Sequence, residues 1–86
     1  MKLYYYYWYD ANDESVECLG KTEQFLSDDL IRSHLDAKLP NFKVFYWRSW
    51  IDDKQVKWFD FGSYSKFYLE TEEPIENIWE NVKIKK

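Results

Sequence analysis

From Tyr4 to Tyr9 the chain runs through six aromatic residues without a break, Tyr-Tyr-Tyr-Tyr-Trp-Tyr. Aromatics favour strands, and successive side chains of a strand point to opposite faces. Leu3, Tyr5, Tyr7 and Tyr9 then lie on one side, and Tyr4, Tyr6 and Trp8 on the other. Such a strand does not suit a sheet with one face in water. Either both faces are covered by the chain, or one is left as a surface for something else.

With 86 residues there is room for one domain. A chain this short buries only about 60–65% of its unfolded surface. Its 22% aromatic content offsets the thin core, since each ring buries on the order of 150–250 Å². No apolar run is long enough to span a bilayer. The opening MKLYYYYWYDANDE lacks the apolar run and small-residue cleavage site of a secretory signal. The lone cysteine, Cys18, has no internal disulfide partner, which points to a reducing, cytoplasmic setting.

The net charge is −4 and the pI about 4.9, a balance that argues against binding duplex DNA through its phosphates and suits docking on a basic protein surface. Gly, Ala, Arg and Pro, whose codons are GC-rich, number eight residues, against 34 for Phe, Tyr, Met, Ile, Asn and Lys. The gene therefore fits an AT-rich genome. A short, acidic, aromatic-rich, cysteine-poor chain of this kind is similar in composition to small phage and mobile-element proteins, including viral inhibitors of host defence such as anti-CRISPR proteins. That likeness carries no functional residue.

The pattern predicts strands over residues 2–9, 43–51, 56–61 and 66–71. A weaker strand over 15–19 could return from the DANDE turn, with Gly20 ending it. Ser27 is a suitable helix N-cap, with Asp28 and Asp29 in the first turn and Leu26 and Ile31 at staple spacing. Leu30, Ile31 and Leu35 form its apolar stripe, and Pro40 ends the helix. The C-terminal EEPIENIWENVKIKK reads as a second helix, with Pro74 at its first position and Ile75, Ile78, Trp79 and Val82 on one face. The expected fold is α+β in one domain, residues 1–86. It has a mostly antiparallel sheet of four to five strands and two amphipathic helices, in the order β-β-α-β-β-β-α.

Symmetrical pairing about DDKQ sets Ile51 opposite Val56 and Trp50 opposite Lys57. One face then carries Val44, Tyr46, Arg48 and Trp50 with Lys57, Phe59 and Phe61. The other carries Phe45, Trp47, Ser49 and Ile51 with Val56, Trp58 and Asp60. Neither face is polar, so one helix is expected over each. A sheet of this size is about 20 Å across, however, and a helix with its side chains covers only ~10–12 Å. Some Tyr and Trp should therefore stay exposed beside a helix.

Signatures of chemistry are weak. Cys18 and His34 are single residues, and a nucleophilic pair needs them in hydrogen-bond reach; a half-buried histidine and a small buried cysteine are the simpler expectation. DANDESVECLGK fails as a calcium loop, with Ser15 where glycine is needed and Lys21 where a bidentate glutamate is needed. Asp52 and Asp53 read as turn residues. The acidic run Glu70, Glu72, Glu73, Glu76 and Glu80 reads as the dipole-favoured start of a solvated helix. Tyr46, Arg48, Trp50, Lys57 and Phe59 would suit single-stranded nucleic acid, but the same residues also make ordinary cross-strand cation–π pairs. The expectation is a non-enzymatic inhibitor or adaptor without cofactor or metal. It docks an aromatic patch with an acidic rim on a host or phage protein, through Tyr5, Tyr7, Trp47, Arg48, Trp50 and Trp58. The alternatives are a single-strand nucleic-acid binder, counted less favoured for its charge, and a self-associating structural phage protein, such as a homodimer.

Overall fold

The computed structural model describes residues 3–23, 28–44, 47–63 and 65–85, except the side chain of Asp28. Strand β1 (Tyr4–Asp10) turns into β2 (Ser15–Thr22), followed by helix α1 (Asp28–Lys38). Then come β3 (Arg48–Ile51), β4 (Lys57–Asp60), β5 (Lys66–Thr71), a 3₁₀ turn at Ile75–Asn77 and β6 (Lys83–Lys85). Among the described residues the sheet has six strands, in the order β3-β4-β5-β1-β2-β6. Every pairing is antiparallel except that of β6 with β2.

The aromatic strand β1 is central, between β2 and β5. Its return is specified by the turn. Asp10 accepts the Asn12 N–H at 2.9 Å, Ser15 donates to Asp13 at 2.5 Å, and Glu14 takes a left-handed conformation (φ 55°). Gly20 does not end β2. The pairing slips between Tyr6 and Tyr7, where Tyr6 faces Gly20 and Tyr7 faces Cys18, leaving Leu19 as the extra residue of a bulge. There the Tyr6 ring lies across the glycine, and a Cβ on Gly20 would stand 2.7 Å from the Tyr6 hydroxyl oxygen.

The alternation of β1 divides the core in two. On one face Trp8, Phe59, Phe61 and Tyr68 are buried beneath Ile31 and Leu35 of α1. On the other, Tyr7, Val16, Val56 and Leu69 are buried with Ile75 of the C-terminal segment. Leu30 belongs to the expected helix stripe but stays 38% exposed. Helix α1 ends as the sequence suggests, with Leu39 N–H donating to Leu35 O before Pro40 and Asn41 left-handed (φ 67°). The expected cap Ser27 and staple residue Leu26 lie outside the described residues.

The second helix is replaced. Among the described residues, one helix and six strands stand where two helices and four to five antiparallel strands are expected, and the sheet is mixed. The apolar spacing nevertheless does the anticipated work: Ile78, Trp79 and Val82 pack with buried Ile75 on the sheet face opposite α1. They do so from a 3₁₀ turn and a bend. A segment this short is a marginal helix by itself, and its two asparagines and four β-branched residues lower its propensity further. Asn81 is left-handed (φ 64°), which breaks any helical run. The chain instead extends along β2, where Lys83 N–H donates to Glu14 O and Ile84 sits beside Val16. Lys85 comes within 3.5 Å of Asp13 and 3.9 Å of Asp10, so opposite charges favour this path.

The central hairpin is shifted by one residue from symmetrical pairing. Ile51 faces Lys57, Trp50 faces Trp58, Ser49 faces Phe59 and Arg48 faces Asp60. The turn is the cause. Gln55 N–H donates to Asp52 O, Asp52 N–H donates to Val56 O, and Gln55 is left-handed (φ 66°). This is a type I turn closed by a bulge, a three-residue loop rather than an even one. Because a one-residue shift moves every partner to the other face, the expected grouping of Arg48 and Trp50 with Lys57 and Phe59 does not occur. Phe45 and Tyr46 lie outside the described residues.

Candidate functional site

The hairpin shift builds an aromatic row on the face turned away from α1. Trp50 stacks on Trp58 with ring centroids 5.9 Å apart and planes within 4°. The neighbouring strands supply Phe67, 5.3 Å from Trp58, and Tyr9, 5.5 Å from Trp58. Trp79, held on the C-terminal bend by its N–H to Ile75 O, comes within 5.6 Å of Trp58 and 5.3 Å of Tyr9. None of the five is fully buried, and Trp50 is 40% exposed.

Polar contacts hold this row in place. Asp52 accepts the Trp58 Nε1–H at 2.9 Å with one oxygen, and the N–H groups of Lys54 and Val56 with the other. Burial pushes its carboxyl upward, but these hydrogen bonds outweigh it, and Asp52 titrates below the ordinary carboxylate range. Arg48 donates twice to Asp60 at 3.0 and 3.1 Å, and its guanidinium lies 5.5 Å from the Trp50 ring. Asp60 is buried, and Arg48 is largely in water.

Of the six expected docking residues, Arg48, Trp50 and Trp58 come together. Tyr7 shares their face but is only 3% exposed. Its hydroxyl accepts the Ile75 N–H at 3.0 Å, which makes it a strut for the C-terminal segment rather than a docking surface. Burial raises its pKa. Tyr5 is half-buried against the same core, with the Lys21 ammonium 5.6 Å from its ring. Trp47 lies on the opposite face, against Phe59 and Phe61, with the Arg32 guanidinium 4.9 Å from its ring. Tyr9, Phe67 and Trp79 were not singled out from the sequence. Tyr9 could have been, from its parity with Tyr5 and Tyr7. Trp79 was hidden by its helix-like spacing.

Beside the row is an open cleft of about 450 Å³, lined by Tyr9, Trp58 and Trp79 with Glu14, Lys54, Glu80, Asn81 and aliphatic side chains. An adjoining hollow of about 350 Å³ shares Lys54 and Ile78 with it and adds Leu3, Gln55, Glu72 and Glu73. Burial, followed by the charges of Glu14, Asp10 and Asp13, raises the Tyr9 pKa. Glu70, counted with the acidic run in the sequence, is instead buried in β5.

Cys18 and His34 do not meet. Cys18 is exposed and paired across from Tyr7, on the face away from α1, whereas His34 lies edge-on to Tyr6 on the α1 face, centroids 5.5 Å apart. Asp10 binds Lys66 at 2.5 Å, a hydrogen bond that pulls its pKa down. Among the described residues no three His, Cys, Asp or Glu side chains are grouped as a metal would require, and no helix is long and apolar enough to cross a membrane. Compared with protein-family models, curated proteins and solved structures, the chain matches none.

Proposed function

We propose that the protein acts by binding rather than by chemistry, docking the row Trp50–Trp58–Tyr9–Trp79 on a partner protein. One observation carries this reading: the stacked indoles of Trp50 and Trp58, held by Asp52 and left partly open at the end of the sheet. Preformed Trp and Tyr side chains with a nearby Arg are the residue types that dominate interface energetics. The acidic side chains around them favour a basic partner surface and speed encounter. The compositional likeness to phage inhibitors makes a host-defence protein the first partner to seek.

The test is affinity capture from nuclease-treated host extract with the wild-type protein and with Trp50→Ala. One host protein should be retained in stoichiometric amount by the wild type. Trp50→Ala should weaken that complex by about 2 kcal/mol, a typical hot-spot loss, with its circular dichroism unchanged. Equal retention by the two proteins, or none by either, would refute the reading.

A second reading, self-association, is favoured by β3. All four of its residues are exposed, Ile51 by 62%, and the strand ends the sheet. A terminal strand of this kind offers a template for a strand of another copy.

A further inference from the structure

We infer that the cleft lined by Tyr9, Trp58 and Trp79 is a receptor for an alkylammonium group, the head of a partner's lysine side chain. The inference rests on the docking reading above and names the chemistry that the site selects.

The walls argue for a cation. Three electron-rich rings line the cleft, packed against one another with centroids 5.3–5.6 Å apart and planes that differ by 38°, 71° and 89°. The faces of Trp and Tyr attract a cation within about 6 Å of the ring centroid. Glu14 and Glu80 stand on this cleft, and Glu72 and Glu73 on the adjoining hollow, against the single cationic side chain Lys54 on their described walls. An anionic occupant, including a nucleic-acid strand, would bring its charge against these four carboxylates. A neutral apolar occupant would gain ring contact but would dehydrate the nearby acids without compensation.

The rings are also fixed in advance. Trp50 stacks on one side of Trp58, Asp52 holds its Nε1–H, and the 3₁₀ turn anchored on the Tyr7 hydroxyl carries Trp79. Little ordering is then left to bind a small head group. The volume of about 450 Å³ falls within the common range for small-ligand sites, roughly 300–1,000 Å³.

The experiment titrates the intact protein with choline and, separately, with its neutral carbon isostere 3,3-dimethylbutan-1-ol, reading tryptophan emission and amide shifts. Choline should bind saturably, and the isostere about tenfold more weakly. Trp79→Ala should abolish choline binding. Should that variant lose its fold, Glu80→Gln, at an exposed position, provides the check and should weaken choline several-fold. Lys54→Gln should strengthen it. Equal binding of choline and isostere, or no saturable binding of choline, overturns the assignment. The titration uses no partner, so the two ideas fail separately. A host protein captured through Trp50 while choline fails to bind overturns the ammonium site alone. Charge-selective choline binding without capture supports the site and counts only against the docking reading.

Discussion

At the scale of single residues, one side chain sits against the usual rule. Tyr68 is fully buried in the α1-side core, edge-on to Trp8, and its hydroxyl has no hydrogen-bond partner among the described residues. Burial, with the charge of Asp36 behind it, drives its pKa far upward and keeps the phenol neutral. A buried hydroxyl left unpaired costs about 1–3 kcal/mol. Tyr68→Phe should therefore stabilise the protein by about 1 kcal/mol, which raises the Tm of a domain this size by roughly 4–8 °C. A calorimetric scan decides it, and a lower Tm would show that the hydroxyl has a partner. No sequence rule singles out Tyr68 among eight tyrosines, because alternation tells the face of a residue and not whether its last atom finds a donor or acceptor.

At the scale of elements, the β3–β4 hairpin depends on Asp52. Its two oxygens gather the N–H groups of Lys54 and Val56 and the Trp58 indole. The folded pKa of Asp52 is depressed, so the stability it contributes is complete above the unfolded carboxylate pKa, about 3.9, and is lost as pH falls through the lower folded value. Asp10 and Asp13 are depressed as well, by hydrogen bonds from Lys66 and Ser15 respectively, so acid unfolding has several contributors. Asp52→Ala isolates one of them. It should cost about 1–3 kcal/mol at neutral pH, the loss expected when such N–H groups are left without their acceptor. The deficit against wild type should shrink as pH drops below about 4, followed by urea melts monitored through tryptophan emission. A deficit that stays constant with pH would mean that the Asp52 charge is not what holds the turn. The turn residues DDKQ were legible as a turn, but the register was not. Symmetrical pairing and the bulged loop differ by one residue in loop length, and the shorter loop comes with a left-handed Gln55 and the hydrogen bonds of Asp52.

At the scale of the whole molecule, the question is how the sheet ends. The β6 edge is short and carries Lys83 and Lys85, features that discourage edge pairing. The β3 edge presents Trp50 and Ile51 instead. If copies pair there, sedimentation equilibrium should show a dimer that Ile51→Lys converts to monomer, the charge being placed where an edge strand would meet its copy. A wild-type monomer at high concentration removes that reading. The sequence alone determined that two apolar faces had to be covered, since β1 alternates aromatic against aromatic over six positions, Tyr4 to Tyr9. It also determined α1 and the side chains that close the second face, Ile75, Ile78, Trp79 and Val82, because their spacing marks an apolar side whatever the backbone does. Only the tertiary structure decided that this closure is a 3₁₀ turn and a parallel strand. The backbone partners of Lys83–Lys85 lie on β2, more than 60 positions earlier in the chain, and local propensity carries no information about them. The same holds for the aromatic cleft. Tyr9, Trp58 and Trp79 come from three distant segments, and the hairpin shift and the Tyr7–Ile75 hydrogen bond bring them to one place.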